Sequence, residues 1–172
     1  MNFLEAAKSR YSVRKFEDRK VEADHMKMIL EAANAAPTAC NYQPQRIYVI
    51  EKEENIEKLN SVCKCIFGAK TVLMFTYNTD EEWKNPLQDG IRSGIEDVSI
   101  VATHAMMEAW DLGIGSCWVN YFANADIEKA FGLPENEKLV LLLPMGYPAA
   151  DSEPMKNMHD VCKPIEKTVT FM

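Results

Sequence analysis

The sequence is short of long apolar runs, of positive charge, of paired cysteines, and of the motifs that mark a Rossmann unit or a protein nucleophile. Its longest purely apolar stretch, 139–143, has five residues. A helix that crosses a bilayer needs about 20. Nineteen Lys and Arg stand against 26 Asp and Glu, for a net charge of −7, so the basic footprint of nonspecific nucleic-acid binding is missing. The five cysteines are odd in number and irregular in spacing, which excludes a disulfide framework and suits a reducing compartment. The opening Met1-Asn2-Phe3-Leu4-Glu5 has no cationic start followed by an apolar core, so no secretory signal is expected. Together these absences point to a cytoplasmic protein with neither membrane nor nucleic-acid partners.

Chemical motifs are equally scarce. Gly113-x-Gly115 has Trp118 where a dinucleotide fingerprint needs its third glycine. The pair also follows a helical pattern and precedes a strand, the reverse of the required order, and reads as a helix C-cap and tight turn. Cys63-x-Cys65 lacks the two-residue spacing of a zinc or redox pair, no second pair completes it, and His25, His104 and His159 are scattered. No metal site is expected. No Ser-His-Asp or Cys-His grouping stands out, and Ser116 is in no nucleophile elbow. With no covalent catalyst in view, hard chemistry would fall to a bound cofactor.

Against this background, Ser9-Arg10-Tyr11-Ser12-Val13-Arg14-Lys15-Phe16 concentrates two guanidinium groups, an ammonium and hydroxyls in an otherwise acidic chain. Arg10 and Arg14, with Ser12 between them, can converge on a phosphate, because guanidinium forks bind its oxygens bidentately. A basic solvated face after an N-terminal helix is the alternative reading.

Periodicity supplies the elements. Asn2 can cap a short helix through residue 8. A second helix is predicted over 22–35, with Met26, Ile29, Leu30 and Ala33 on one face. The proline-bracketed loop 37–44 leads into a strand at 46–51, a helix near 55–63 and a buried strand at 71–77. Residues 80–89 read as a polar surface loop. The longest helix is predicted over 89–112, about 35 Å, with a stripe of Ile95, Val98, Ala102, Ala105 and Ala109 and further apolar residues around it. A helix so widely apolar must be covered on several sides. A strand over 116–120, a helix capped by Asn124 and running to 131, and a core strand at 138–144 follow. Residues 149–172 read as a polar tail that is disordered or wraps something, with strand propensity at 168–171. One domain is expected over 1–172.

A phosphate clamp, a polar loop at 37–44, a strand with a polar end at 118–121 and a wandering tail are what flavin mononucleotide (FMN) would use. It needs cations for its phosphate, hydroxyl partners for its ribityl chain, and amide donors and acceptors at its ring edge.

The segments at 9–16, 35–44 (Ala-Ala-Pro-Thr-Ala-Cys-Asn-Tyr-Gln-Pro), 112–119 (Leu-Gly-Ile-Gly-Ser-Cys-Trp-Val) and 144–148 (Pro-Met-Gly-Tyr-Pro) occur in this order. Met158-His159 and Lys163-Pro164-Ile165 follow them. In this arrangement the chain resembles the FMN-dependent nitroreductase family over essentially its whole length. The resemblance implies an α+β fold, a mixed central sheet flanked by helices, in an intertwined homodimer. Two FMN molecules would lie between subunits, and the tail at 149–172 would wrap the partner. It implies cofactor binding by Arg10, Tyr11, Ser12 and Arg14; by Pro37, Thr38, Ala39, Asn41 and Gln43 from the partner subunit; by Trp118, Val119 and Asn120 along the ring; and by Lys163 in the tail. No protein residue is implied as catalyst. NADH or NADPH would deliver hydride to flavin N5, and a small electron-poor acceptor such as a nitroaromatic or quinone would take it. Reductive dehalogenation, flavin breakdown or noncatalytic redox sensing on the same scaffold are the alternatives. The chain departs from the family at Cys162, usually arginine, and at Tyr121, often glycine. It also has little between 77 and the long helix to form a substrate lid.

Overall fold

The computed structural model describes residues 2–172, so Met1, the first residue of the expected domain, lies outside the described residues. Helix α1 (Phe3–Ser9) begins at a capping box in which the Asn2 side chain accepts from the Glu5 N–H and Glu5 reaches back to Asn2. That arrangement satisfies two amide donors a helix start leaves free. Helix α2 (Ala23–Asn34) buries Met26, Ile29 and Ala33, the face its periodicity predicts. Strands β1 (Gln45–Ile50), β2 (Thr71–Asn78), β3 (Gly115–Ser116) and β4 (Glu137–Gly146) form one sheet in the order β1-β2-β4-β3. These strands pair antiparallel, and parallel pairing enters through a bridge between Ser12 and Ser116.

Helices cover both faces. On one side α2 and α4 (Gly94–Asp111) pack over Leu73, Phe75, Leu141 and Leu143. On the other, α3 (Glu53–Val62) and α5 (Asn124–Phe131) pack over Val72, Met74 and Leu142. Adjacent Val140 and Leu141 both face the first side. A bulge in the β2–β4 register between Phe75 and Thr76 accounts for this, because one extra residue breaks the alternation of faces. The Leu139 and Val140 carbonyls at the bulge accept from the Asn124 and Asn120 side chains. Asn124 is therefore inside α5 and Ala123 is its cap, a correction to the expected Asn124 cap.

Four further expectations are revised. The long helix begins at Gly94 rather than 89 and spans about 27 Å. The preceding residues close a small hairpin instead, through a Lys84–Arg92 bridge and a Ser93 N–H to Trp83 carbonyl bond. Asn85 and Asp89 turn their side chains onto nearby backbone N–H groups, the competition that keeps such residues out of helices. Ile95 is 61% exposed while Asp97 is 2% exposed, since two residues along a helix is a rotation of about 200°. The strand expected over 116–120 shrinks to Gly115–Ser116 with a separate Val119–Leu142 bridge. Pro144 on the facing strand has no N–H to continue the ladder. In the tail, α6 (Lys156–His159) and a 3-10 turn at Ile165–Lys167 are the regular elements. Residues 168–171 form no strand. Among the described residues no helix is long and apolar enough to cross a membrane.

Candidate functional site

The basic segment is stitched into the fold by its backbone. Val13 is fully buried and donates to the Ser116 carbonyl at 3.0 Å. Glu17 donates to Tyr147, and Ala149 donates to Lys15. Alternate side chains of such an extended run point to opposite sides, so burying Val13 sends Ser12 and Arg14 the other way. Gly115 is what lets the segment approach: a Cβ there would lie 2.4 Å from Val13 Cγ2.

Ser12 and Arg14 border, with Lys8, Arg10, His159 and Cys162, a cleft of about 400 Å³. None of its lining residues is acidic, although the chain carries a net charge of −7. Arg14 donates from Nη1 to the Ser12 carbonyl at 3.1 Å and stands 5.8 Å from the Phe67 ring centre. Among the described residues Arg10 makes no side-chain hydrogen bond or ion pair. Tyr11 packs edge-on against Trp110 with ring centres 5.4 Å apart, and its hydroxyl donates to the Ser152 carbonyl at 3.3 Å. Lys15 is held at 2.7 Å by Asp151. That bond raises the lysine pKa and lowers the carboxyl's. Burial pushes the Cys117 thiol pKa up, against the opposing influence of the Arg14 guanidinium and of Ser12. Ser116 and Cys117 therefore lie beside the cationic segment, and residues 118–120 continue from them. Trp118 donates from Nε1 to Asn120 Oδ1 at 2.5 Å, Asn120 donates from Nδ2 to the Val140 carbonyl at 2.6 Å, and Val119 is buried.

The other expected binding residues are elsewhere. Pro37, Thr38, Ala39, Asn41 and Gln43 belong to a loop with a 3-10 turn at Ala39–Asn41. Cys40, Asn41 and Gln43 have φ values of 49°, 58° and 51°, a region non-glycine residues enter at a cost. The Ala39 N–H donates at 2.7 Å to Asp97, in the first turns of α4. Tyr11, by contrast, packs on Trp110 near the other end of that helix. Thirteen residues of helix separate the two anchor points by about 20 Å. One chain thus brings Arg10, Ser12 and Arg14 to Ser116 and Cys117 but leaves the 37–43 loop apart. Lys163 is exposed and does not line the cleft, which its neighbour Cys162 does. Tyr121 is 87% exposed.

Sequence reasoning missed two residues here. His159 enters the cleft, with its ring 6.3 Å from Tyr11. Asp97 is a buried carboxylate at the foot of the loop. A polar residue in phase with the buried Val101 and Ala105 was the signal for Asp97; for His159 there was none beyond its place in Met158-His159.

The donor set fits a phosphate monoester: guanidinium, ammonium and imidazole nitrogens with a serine hydroxyl in a carboxylate-free recess. A sequence model of the nitroreductase family matches residues 7–67 and 63–147. A nitroreductase family protein from Clostridium difficile 630 is 37% identical, with 99% of this chain and 98% of that one covered and a TM-score of 0.92. A Methanothermobacter thermautotrophicus protein, provisionally named an NADH dehydrogenase/NAD(P)H nitroreductase, is 30% identical over 156 aligned residues, with 87% of this chain and 78% of that protein covered. An FMN-dependent nitroreductase from Clostridium difficile R20291 shares the fold with a TM-score of 0.79 at 23% identity, over 98% of each chain.

Proposed function

Because the chain belongs to the nitroreductase family, we propose that it is an FMN-dependent oxidoreductase. When bound, FMN would supply hydride transfer at N5, with NADH or NADPH as donor and an electron-poor small molecule such as a nitroaromatic or quinone as acceptor. The observation that carries this reading is the acid-free cationic cleft at residues 8–14, joined through the Ser12–Ser116 bridge to the start of the 116–120 segment.

Arg10 and Ser12 hold the phosphate, and Tyr11 is braced by Trp110 so that the backbone between them keeps its course. Arg14 carries positive charge toward the cofactor and favours the accumulation of negative charge there. Trp118, Val119 and Asn120 line the ring, with Asn120 restrained by its bond to Val140. Lys163 follows Cys162, which lines the cleft, and adds positive charge beside the cleft rather than within it. The residues orient the cofactor and tune its electrostatics, and no protein nucleophile takes part.

The 37–43 loop completes the site from a second copy of the chain. The separation of about 20 Å along α4 supports this arrangement, since one small cofactor then meets both groups only between two chains. Exposed apolar side chains favour the same reading: Ile95 and Ile100 on α4, and Val161, Ile165 and Phe171 in the tail. A partner that covered such side chains would remove them from water.

The test begins with the absorption spectrum of purified protein after incubation with FMN, followed by anaerobic titration with each nicotinamide. Bound flavin that NADH or NADPH bleaches, and that a nitroaromatic restores, is the expected result. Flavin that binds but resists both nicotinamides would favour a noncatalytic sensor, and failure to take up flavin would end the proposal.

A further inference from the structure

We infer that Asp97 is a positioning residue, which fixes the 38–43 loop in the shape that presents Thr38 and Asn41 to the cofactor. The inference rests on the flavin reading above. Both carboxylate oxygens are committed: Oδ1 accepts the Ala39 N–H at 2.7 Å and Oδ2 accepts the Ser93 hydroxyl at 2.7 Å. Ser93 is itself buried, and its oxygen accepts the Trp83 N–H at 3.1 Å. A chain of hydrogen bonds thus joins the base of the 83–93 hairpin to the loop through one carboxylate. Asp97 is 2% exposed and no Lys or Arg pairs with it among the described residues. A buried carboxylate served by neutral donors alone is expensive to keep. Its place near the N-terminus of α4, where the helix dipole favours negative charge, offsets part of that.

What this arrangement secures is the loop. Its other hydrogen bonds are internal: Asn41 N–H to Thr38, Tyr42 N–H to Ala39, and Gln43 N–H to the Thr38 hydroxyl. Among the described residues, the Ala39–Asp97 bond is the sole hydrogen bond from residues 37–43 to the rest of the chain. Three non-glycine residues of that loop hold positive φ, a conformation that persists only where surroundings enforce it. Gly94 lets the enforcing helix start close in, because a Cβ there would lie 2.3 Å from the Tyr77 ring.

The test uses the full-length Asp97→Ala and Asp97→Asn variants with two ligands, FMN and riboflavin, which lacks the phosphate. Asp97→Ala should weaken both flavins by the same factor, about 10- to 100-fold for a lost charge-assisted bond. Asp97→Asn keeps an acceptor for Ala39 and can donate to the Ser93 oxygen, so it should stay within about 3-fold of the parent. In the flavin-free protein, hydrogen exchange at the Ala39 amide should accelerate in Asp97→Ala and not in Asp97→Asn. If Asp97→Ala does not fold, Ser93→Ala replaces it, with a smaller equal loss for both ligands and faster exchange at Ala39. Unchanged flavin affinity and unchanged Ala39 exchange in the Ala variants overturn the inference. A parent protein that binds neither flavin overturns the flavin reading instead, and the exchange result still reports on the tether.

Discussion

Replacing Arg10 with alanine separates a cofactor clamp from a basic surface patch. Arg10 lies in the carboxylate-free cleft and, among the described residues, makes no side-chain hydrogen bond or ion pair. Its removal should therefore leave the fold intact, with a stability change within about 0.5 kcal/mol. A hydrogen bond to a charged group contributes about 1.5–3 kcal/mol. A bidentate pair makes two such bonds, but Lys8 and Arg14 remain to hold the phosphate and solvent screens the site, which keeps the loss within the upper part of that range. Loss of about 2–3 kcal/mol raises the FMN dissociation constant about 30- to 150-fold. Quenching of flavin fluorescence on titration into flavin-free protein reads this directly. Riboflavin is the internal control, since it carries no phosphate and its weaker binding should be the same in parent and variant. Added salt should also weaken FMN binding to the parent more than to Arg10→Ala. Equal loss for FMN and riboflavin would place Arg10 at the ring, and no loss for either would make the patch a solvated face.

Two further substitutions probe the framework. Gly115→Ala puts a methyl 2.4 Å from a side-chain carbon of fully buried Val13, an overpacking that costs about 1–3 kcal/mol. The melting temperature should fall by about 3–10 °C, and FMN affinity should fall with it because residues 12–14 are displaced; a melting curve that matches the parent would refute the close approach. Burial, and then a hydrogen bond to Glu137, push the Tyr48 phenol up to about 12. The folded value exceeds the ordinary 10.0, so the neutral phenol stabilises the fold below about pH 10 and that contribution fades as pH rises toward 12. One tyrosinate absorbance step near pH 12 should be present in the parent and missing in Tyr48→Phe.

Much of the scaffold is readable from local chemistry. Asn2 and Glu5 mark the start of α1, the spacing of Met26, Ile29 and Ala33 marks α2, and the apolar runs of β2 and β4 mark a core sheet covered on both faces. The misreadings arise where a distant residue decides. Pro144, on another strand, interrupts the ladder between Ser116 and Val119, and the hairpin around Asn85 and Asp89 takes residues that periodicity would lend to α4. Ile95 looks like core and is exposed, because its side of the helix has no cover among the described residues. For the candidate site, the residue types of 10–14 suggest an anion, but only the fold shows that no carboxylate lines the cleft beside them. The distance between that cleft and the 37–43 loop is set by α4 and cannot be read from spacing. Asp97 escapes notice because an acid in a helix usually faces water, while here a loop amide and a serine hydroxyl draw it inward.

The central claim is that each flavin is held by the 10–14 clamp of one chain and the 37–43 loop of another. The most direct measurement mixes two variants, one with Arg10→Ala and one with Asn41→Asp, which tolerates the left-handed backbone and exchanges an amide donor for a carboxylate. Each alone should bind FMN weakly. After subunit exchange, about a quarter of the sites in an equal mixture should regain parental affinity, because mixed dimers reunite one intact clamp with one intact loop. An FMN titration of the mixture that shows only the sum of the two weak isotherms would contradict the account.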